Sequence, residues 1–557
     1  MPTRTSLVLS IFFFKLPAYA LVGLASAAFL VVLRRRLRQR SLRNISGPSN
    51  PSFVWEGHWR YMFNPYAYMF YEGLYRTHGK VARVYGFFGD IQLVVSDPKA
   101  CNNIIVKDQA IFEETEVFRF TSFKIHRIHP LILSPIQGAH HRRQRRLLNP
   151  VFNVNHMRYL TPIFYGVTRQ LRDKFRLIVE NGPQEINVAD WTGRIGLELI
   201  GQAGFGYSFG TLESRNDEFC RVLKEWVPAL ASLGVYRNLF PYVYKIFHPK
   251  ILKIVGRMLP WPGLNHLMDL AGAMNAQARG VYETKKRLLE SGDDATAKQV
   301  GEGKDLISLL MRASVAVSED DRLSEEEVIA QIMGFLVAGT DTTSSALSCL
   351  LHQLALHPNV QDKLRKELEE ACQDNEELTH DQLVSLPFLE AVCRETLRLY
   401  PPLPGVMRTA RSDAILPLSA PIHDVDGQKI HEVFVPANTD VFVQIHHLNR
   451  DPSIWGPDGA EWKPERWLAP LPESVTNANI QGVYANTMTF IGGGRSCIGF
   501  KFAQLEMKVV LSQIVPAFRF APIKAAIIWR FGGISSPSVE GSVHLLPPKL
   551  PIMISRV

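Results

Sequence analysis

The chain has 557 residues, 46% of them hydrophobic, and a formal net charge of +9. That apolar share supports a large core, and with neither a repeat nor a long low-complexity linker it reads as one large domain behind an N-terminal appendage. Six of the positive charges are Arg34, Arg35, Arg36, Arg38, Arg40 and Arg43, so the remaining body is mildly basic and gives no sign of nucleic-acid binding. The six cysteines lack paired spacing, which argues against a disulfide framework and for a reducing surrounding.

In chain order, Leu7 to Phe14 and Leu16 to Leu33 form apolar runs interrupted by Lys15. Together they are long enough to cross a bilayer core, which takes about 20 residues. The arginine cluster that follows is expected to stay cytoplasmic, placing the body in the cytosol. A cleaved secretory signal is the competing reading, with Ala25-Ser26-Ala27 as its cleavage site, but the apolar run continues past that point. The expectation is a retained anchor in residues 1–46 and a main domain in 47–557. The sequon Asn44-Ile45-Ser46 then stays unglycosylated, and Gly47-Pro48-Ser49-Asn50-Pro51 reads as a stiff hinge.

Val81 to Val84 and Ile91 to Val95 are β-rich runs around Gly86-Phe87-Phe88-Gly89-Asp90, a hairpin signal. Asp97-Pro98 opens a helix with a cap and a first-turn proline. The run His140 to Arg146 is basic, as a solvated helix face often is; Arg145 falls four residues after His141 and shares its face. Trp226 to Leu264 is rich in large apolar residues.

Ser324-Glu325-Glu326-Glu327 is a capping box opening a helix that runs to His357-Pro358. Its middle, Ala338-Gly339-Thr340-Asp341-Thr342-Thr343, is built from poor helix formers and predicts a widened turn there. A further helix follows Pro387, with Glu395 and Arg398 on one face. Near the C-terminus, Phe490-Ile491-Gly492-Gly493-Gly494-Arg495-Ser496-Cys497-Ile498-Gly499 holds four glycines, one arginine and one cysteine. Glycines permit turns and close approach of a flat ligand. A cysteine in such a turn can present a thiolate, the metal-ligating form, and Arg495 suits a carboxylate beside it.

This last stretch, F-x-x-G-x-R-x-C-x-G, resembles the haem-binding loop of the cytochromes P-450, the haem-thiolate monooxygenases, at Phe490, Gly493, Arg495, Cys497 and Gly499. Residues 338–343 resemble the family's oxygen-binding groove, which implies an acid–alcohol pair, Asp341 and Thr342, for proton delivery during O–O cleavage. The resemblance implies a mainly α fold with small β-sheets. Haem b would have Cys497 as axial iron ligand, with propionate contacts from Arg145, Arg408 and His141, the last standing where the family usually has tryptophan. It implies a scaffold network of Glu395, Arg398 and Arg466, and a substrate side lined by Leu403 to Met407. Trp226 to Leu264 would cover the substrate entrance, and Arg142, Arg143 and Arg146 would offer a docking patch to an acidic electron donor.

The implied function is insertion of one oxygen atom from O2 into an apolar substrate, a terpenoid or other secondary metabolite by family habit. Electrons would come from NADPH through a separate flavoprotein reductase, at the endoplasmic reticulum membrane. Pocket candidates are Phe335, Ala338, Val406 and Ile534. Two other classes stay open: a haem-thiolate isomerase or dehydratase acting on peroxides without external electrons, and a non-catalytic haem-binding protein.

Overall fold

The computed structural model describes residues 26, 33–35, 37–51, 56–118, 138–213, 217–233, 236, 240, 243, 249–291, 303–317, 322–373, 377–542 and 547–557. Most of the expected membrane segment lies outside these residues. Among the described residues, no helix is long and apolar enough to cross a membrane.

The stretch after the arginine cluster already belongs to the packed body. Gln39–Asn44 forms a 3-10 turn whose Leu42 is fully buried. The Gln39 amide donates to Asp90 Oδ1 at 2.9 Å and to Ile91 O at 3.0 Å, and accepts from Ile91 N–H at 3.0 Å. Arg35 reaches the same Asp90 at 2.6 Å. The expected hinge is anchored at its start, because Arg83 N–H donates to Ser46 O at 2.9 Å and a Cβ on Gly47 would lie 2.1 Å from Arg83 O. Glycine is needed there for close approach to a strand, so the stiff hinge read from residue 47 starts packed against that strand.

The hairpin signal is realised as β1 (Val81–Tyr85) antiparallel to β2 (Ile91–Val95). These strands join β3 (Phe112–Glu113), β5 (Val406–Ala410) and β8 (Asp440–Val443) in one sheet of order β1-β2-β8-β5-β3. A three-stranded sheet combines β4 (Gln184–Asn187), β12 (Pro551–Arg556) and β9 (Phe518–Ala521). Two hairpins complete the β structure, β6 (Ala414–His423) with β7 (Lys429–Val435) and β10 (Ile527–Arg530) with β11 (Ser536–Val539).

The rest is largely helical. The helices that position the site are α1 (Gly138–Leu148), α2 (Val154–Ile178), α3 (Val188–Leu199), α4 (Asp217–Ser232), α5 (Pro249–Met258), α6 (Glu325–Leu356), α7 (Pro387–Leu399) and α8 (Phe500–Ile514). In α6 the expected capping box forms, with Ser324 accepting from Glu327 N–H and Glu327 accepting from Ser324 N–H. Its 32 residues span about 48 Å through the core. The helix is α-helical throughout, so the widened turn predicted in its middle is corrected. A π-turn occurs instead at Ile200–Gly204, and the Ile200 side chain lies where a Cβ on Gly339 would come within 3.2 Å.

The scaffold network is present. Arg398 grips the Glu395 carboxylate with two bonds of 2.7 and 2.8 Å, both side chains fully buried, and Arg466 lies 3.4 Å away. Trp467 Nε1–H also donates to Glu395 at 3.0 Å. Arg398 spends its remaining donors on Asn449 O and Gly459 O, which fixes the segment leading to the cysteine loop. All six cysteines are free.

Candidate active site

The cysteine loop is closed by its own backbone. Cys497 N–H donates to Phe490 O at 3.0 Å and Ser496 N–H to Gly493 O at 3.2 Å. Ile491 and Gly493 have φ of 45° and 65°, and a Cβ on Gly493 would lie 3.0 Å from Ile105 O. Gly494 N–H is held by Gln109 Oε1 at 2.9 Å. The Phe490 ring packs on Tyr484 and Phe500 at 5.8 and 6.2 Å between centroids. Gly499 differs from the other loop glycines, since a Cβ there would meet its nearest described neighbour, the Phe152 ring, at an ordinary 3.8 Å.

Cys497 is the exposed one of the six cysteines. Its surroundings are nevertheless dry: burial pushes the thiol pKa up, opposed by an N–H from Gly499 and the charge of Arg145. A side chain that is accessible yet desolvated lies in a recess, and α8 begins three residues later with its positive dipole end toward the sulfur. Burial alone favours the neutral thiol, whereas the Gly499 N–H, Arg145 and the start of α8 favour the thiolate that binds a metal.

Cations gather around this recess. Arg145 reaches from α1 to Ser496 O at 2.8 Å and to Asn149 at 2.9 Å. Arg408 is buried on β5, donating to Met407 O at 2.8 Å. Arg495 lies 3.7 Å from buried Glu114. Burial lowers the pKa of both Arg145 and Arg408, and the charge of Arg495 lowers each further. His141 is pushed down to about 4, first by burial and then by Arg495, Arg145 and Arg142. It is therefore neutral at pH 7 and adds a hydrogen-bonding group without a fourth charge. Among the described residues, three guanidinium groups gather beside this loop, which suits an acidic ligand. The donor set fits haem: a sulfur for iron and arginines for two propionates.

The middle of α6 is open where its flanks are closed. Residues 328–336 and 343–351 are buried, whereas Ala338 is exposed and Gly339 and Thr342 are partly so. Phe335 meets Phe152 edge-on at 5.8 Å, and Phe152 is the ring beside Gly499, so α6 and the cysteine loop share a wall. Thr342 Oγ–H donates to Ala338 O at 2.6 Å. Asp341 faces another way; it is buried, and its carboxylate lies 3.9 Å from Lys224 Nζ. Burial raises its pKa to about 6 against the pull of Lys224. Acid and alcohol are thus adjacent in sequence but have different partners.

The family model for cytochrome P450 matches residues 45–531. The chain belongs to the cytochrome P-450 family. Cytochrome P-450 monooxygenase 91 of Postia placenta is 45% identical over 527 residues, covering 94% of this chain and 96% of the relative. Ganoderic acid synthetase of Ganoderma lucidum is 40% identical over 531 residues, covering 93% and 96%. A cytochrome P-450 monooxygenase of Hericium erinaceus is 34% identical over 550 residues, covering 96% and 97%. As a cytochrome P-450 the chain is a monooxygenase, an oxidoreductase, and membership implies haem with a cysteine thiolate.

Within this P-450, the cysteine-side residues read from the sequence, Arg145, Arg408, Arg495, His141 and Cys497, converge. Phe490 and Gly493 shape the loop rather than the recess. Arg143, expected in the docking patch, is instead turned to Glu327 at 3.1 Å, because α1 packs beside the start of α6. Arg142 and Arg146 remain exposed. Glu114, Gln109 and Lys224 were not visible as site residues in the sequence. Each acts on a group more than a hundred positions away, and none lies in a recognisable motif.

Proposed function

We propose that this cytochrome P-450 is a membrane-anchored monooxygenase of apolar substrates, with Cys497 as the iron ligand and electrons from NADPH through a separate flavoprotein reductase. The observation that carries the reading is Cys497, held in its closed loop at the start of α8 beside Arg145, with Arg495 and Arg408 near that loop and α6 opening at Ala338 and Thr342. Haem, when bound, supplies the binding and activation of dioxygen. The chain's own residues do the rest. The arginines would neutralise the propionates, and His141 would donate a hydrogen bond to one of them. The Gly499 N–H and the start of α8 stabilise negative charge on sulfur. Asp341, with a pKa near the working range, would supply a proton by turning from Lys224 toward Thr342, whose hydroxyl would pass it on beside Ala338.

Val406 and Met407 on β5 and Ile534 before β11, all partly exposed, supply an apolar lining. That lining favours a hydrophobic substrate, in keeping with a relative named ganoderic acid synthetase; a terpenoid or other secondary metabolite is the class proposed. Within residues 1–46 the anchor is assigned to the apolar runs that precede the turn Gln39–Asn44, which already packs on the monooxygenase domain, in the endoplasmic reticulum membrane with the body cytosolic. Helix α5 supports membrane contact, since Ile251, Ile254, Val255 and Met258 recur at helical spacing and are all exposed. Exposed Arg142 and Arg146 are the proposed docking residues for an acidic reductase surface. Reversing both charges is expected to slow reductase-supported turnover and flatten its salt dependence; unchanged turnover and salt dependence would remove that assignment.

The reaction class is tested in microsomes with a co-expressed reductase, offering a panel of terpenoids. Product that carries one atom of labelled O2 and requires NADPH is expected. Conversion of a peroxide without NADPH would instead indicate an isomerase or dehydratase.

A further inference from the structure

Three helices meet beside Asp341, and one side chain crosses the junction. Lys224 lies on α4, and its ammonium donates to Ser344 Oγ at 2.5 Å and stands 3.9 Å from Asp341 Oδ1, both on α6. Its side chain is 13% exposed. The path is kept open by the third helix: a Cβ on Gly193 of α3 would lie 2.3 Å from Lys224 Cε and 2.9 Å from its Nζ. Gly193 has ordinary helical backbone, where glycine is a poorer helix former than alanine. The space it leaves is filled by the lysine.

The other charged and titratable groups near this junction are few. On α3, Asp190 and Arg194 pair with each other at 2.7 Å toward the surface. On α4, Cys220 sits one turn before Lys224, and burial pushes its thiol up to about 11. On α8, Glu506 approaches α6 from another direction; burial raises its carboxyl well above the usual range, opposed by a hydrogen bond from Thr343. Lys224 is the charge whose pull on Asp341 opposes burial.

We propose that Lys224 is a positioning residue for Asp341, its ammonium pairing with the carboxylate on α6 so that the buried acid can give up its proton. This deepens the monooxygenase reading and rests on it for its functional meaning, although the electrostatic link itself does not. With the lysine in place, Asp341 changes charge within the physiological range. Without it, a buried carboxyl next to Thr340 and Thr343 would stay protonated through neutral pH.

The test is a thermal-unfolding series on the full-length haem-loaded protein between pH 5 and 8, comparing wild type, Lys224→Met, Asp341→Asn and the double variant. Asp341 has a folded pKa of about 6, above its reference of 3.8, so the native state holds the extra proton between those values. Its contribution to stability therefore falls as pH rises through that window and is level above it. Removing Lys224 raises the folded pKa further and extends the fall toward pH 8. Lys224→Met should lose about 2 °C more at pH 8 than at pH 5, and that difference should vanish in the Asp341→Asn background. Other groups titrating in this range are common to all four proteins and cancel.

Ser344→Ala removes only the lysine's hydroxyl partner and should give a loss independent of pH. Lys224→Arg should restore the wild-type profile. If Lys224→Met does not fold, Gly193→Ala displaces the ammonium while keeping both charged groups and should reproduce the pH-dependent loss in part. Parallel pH curves for wild type and Lys224→Met, or an equal pH-dependent loss with Asn at 341, would overturn the proposal. A wrong monooxygenase reading would show separately, as a missing thiolate signature in the wild-type haem spectrum.

Discussion

Cys497 and Thr342 illustrate how single side chains are set for work by what surrounds them. The sulfur is reachable but dry, and its charge is supported by one N–H, one guanidinium and the start of α8. Thr342 spends its hydroxyl proton on Ala338 O, a bond that also serves the helix, so the group is held in one rotamer beside the exposed patch. Thr342→Ala is expected to leave haem content and unfolding temperature nearly unchanged. Product formed per NADPH should fall by about 10²-fold, the scale of losing a positioned proton donor. Equal product yield from the variant would remove Thr342 from proton delivery. His141 shows a limit of reading by residue type: beside three arginines it is held neutral, so its place in a basic run says little about its charge.

At the scale of elements, the segments legible in the sequence were those whose signals are local. The capping box at Ser324, the proline-opened α7 and the β1–β2 hairpin depend on neighbours a few positions apart, and each formed where the residues placed it. The poor helix formers in the middle of α6 were misread as a distortion. The helix tolerates them between two buried flanks, residues 328–336 and 343–351, and the widened turn lies instead at Ile200–Gly204, after α3. Contacts such as Arg495 with Glu114, or Lys224 with Asp341, pair residues from distant elements and leave no periodic trace. The Glu395–Arg398 pair was legible because its members are one helical turn apart, and its meaning comes from burial. Glu395→Ala would leave Arg398 charged and fully enclosed, a loss on the order of 3–5 kcal/mol. Chemical unfolding should show it, together with weakened haem retention; a change below about 1 kcal/mol would contradict this view of the network.

On the scale of the whole molecule, the described residues that follow the N-terminal apolar runs are packed on the body. Gln39 and Leu42 are buried against β2 and its surroundings, Arg35 meets Asp90, and Gly47 lies tight on β1. A deletion ending at residue 32 should therefore yield a body about as stable as the full chain. One ending at residue 46 should unfold several degrees lower, since it exposes Asp90 and strips an apolar turn from the sheet. Equal unfolding temperatures for the two truncations would show that the turn adds nothing to the fold. The site this body encloses is tested most directly by the carbon monoxide difference spectrum of the dithionite-reduced protein, with Cys497→His prepared alongside. A strongly red-shifted Soret band in the wild type, lost in the variant, is the predicted result. A band at the shorter wavelength typical of histidine ligation in freshly prepared, folded wild type would contradict the assignment of Cys497 as the iron ligand.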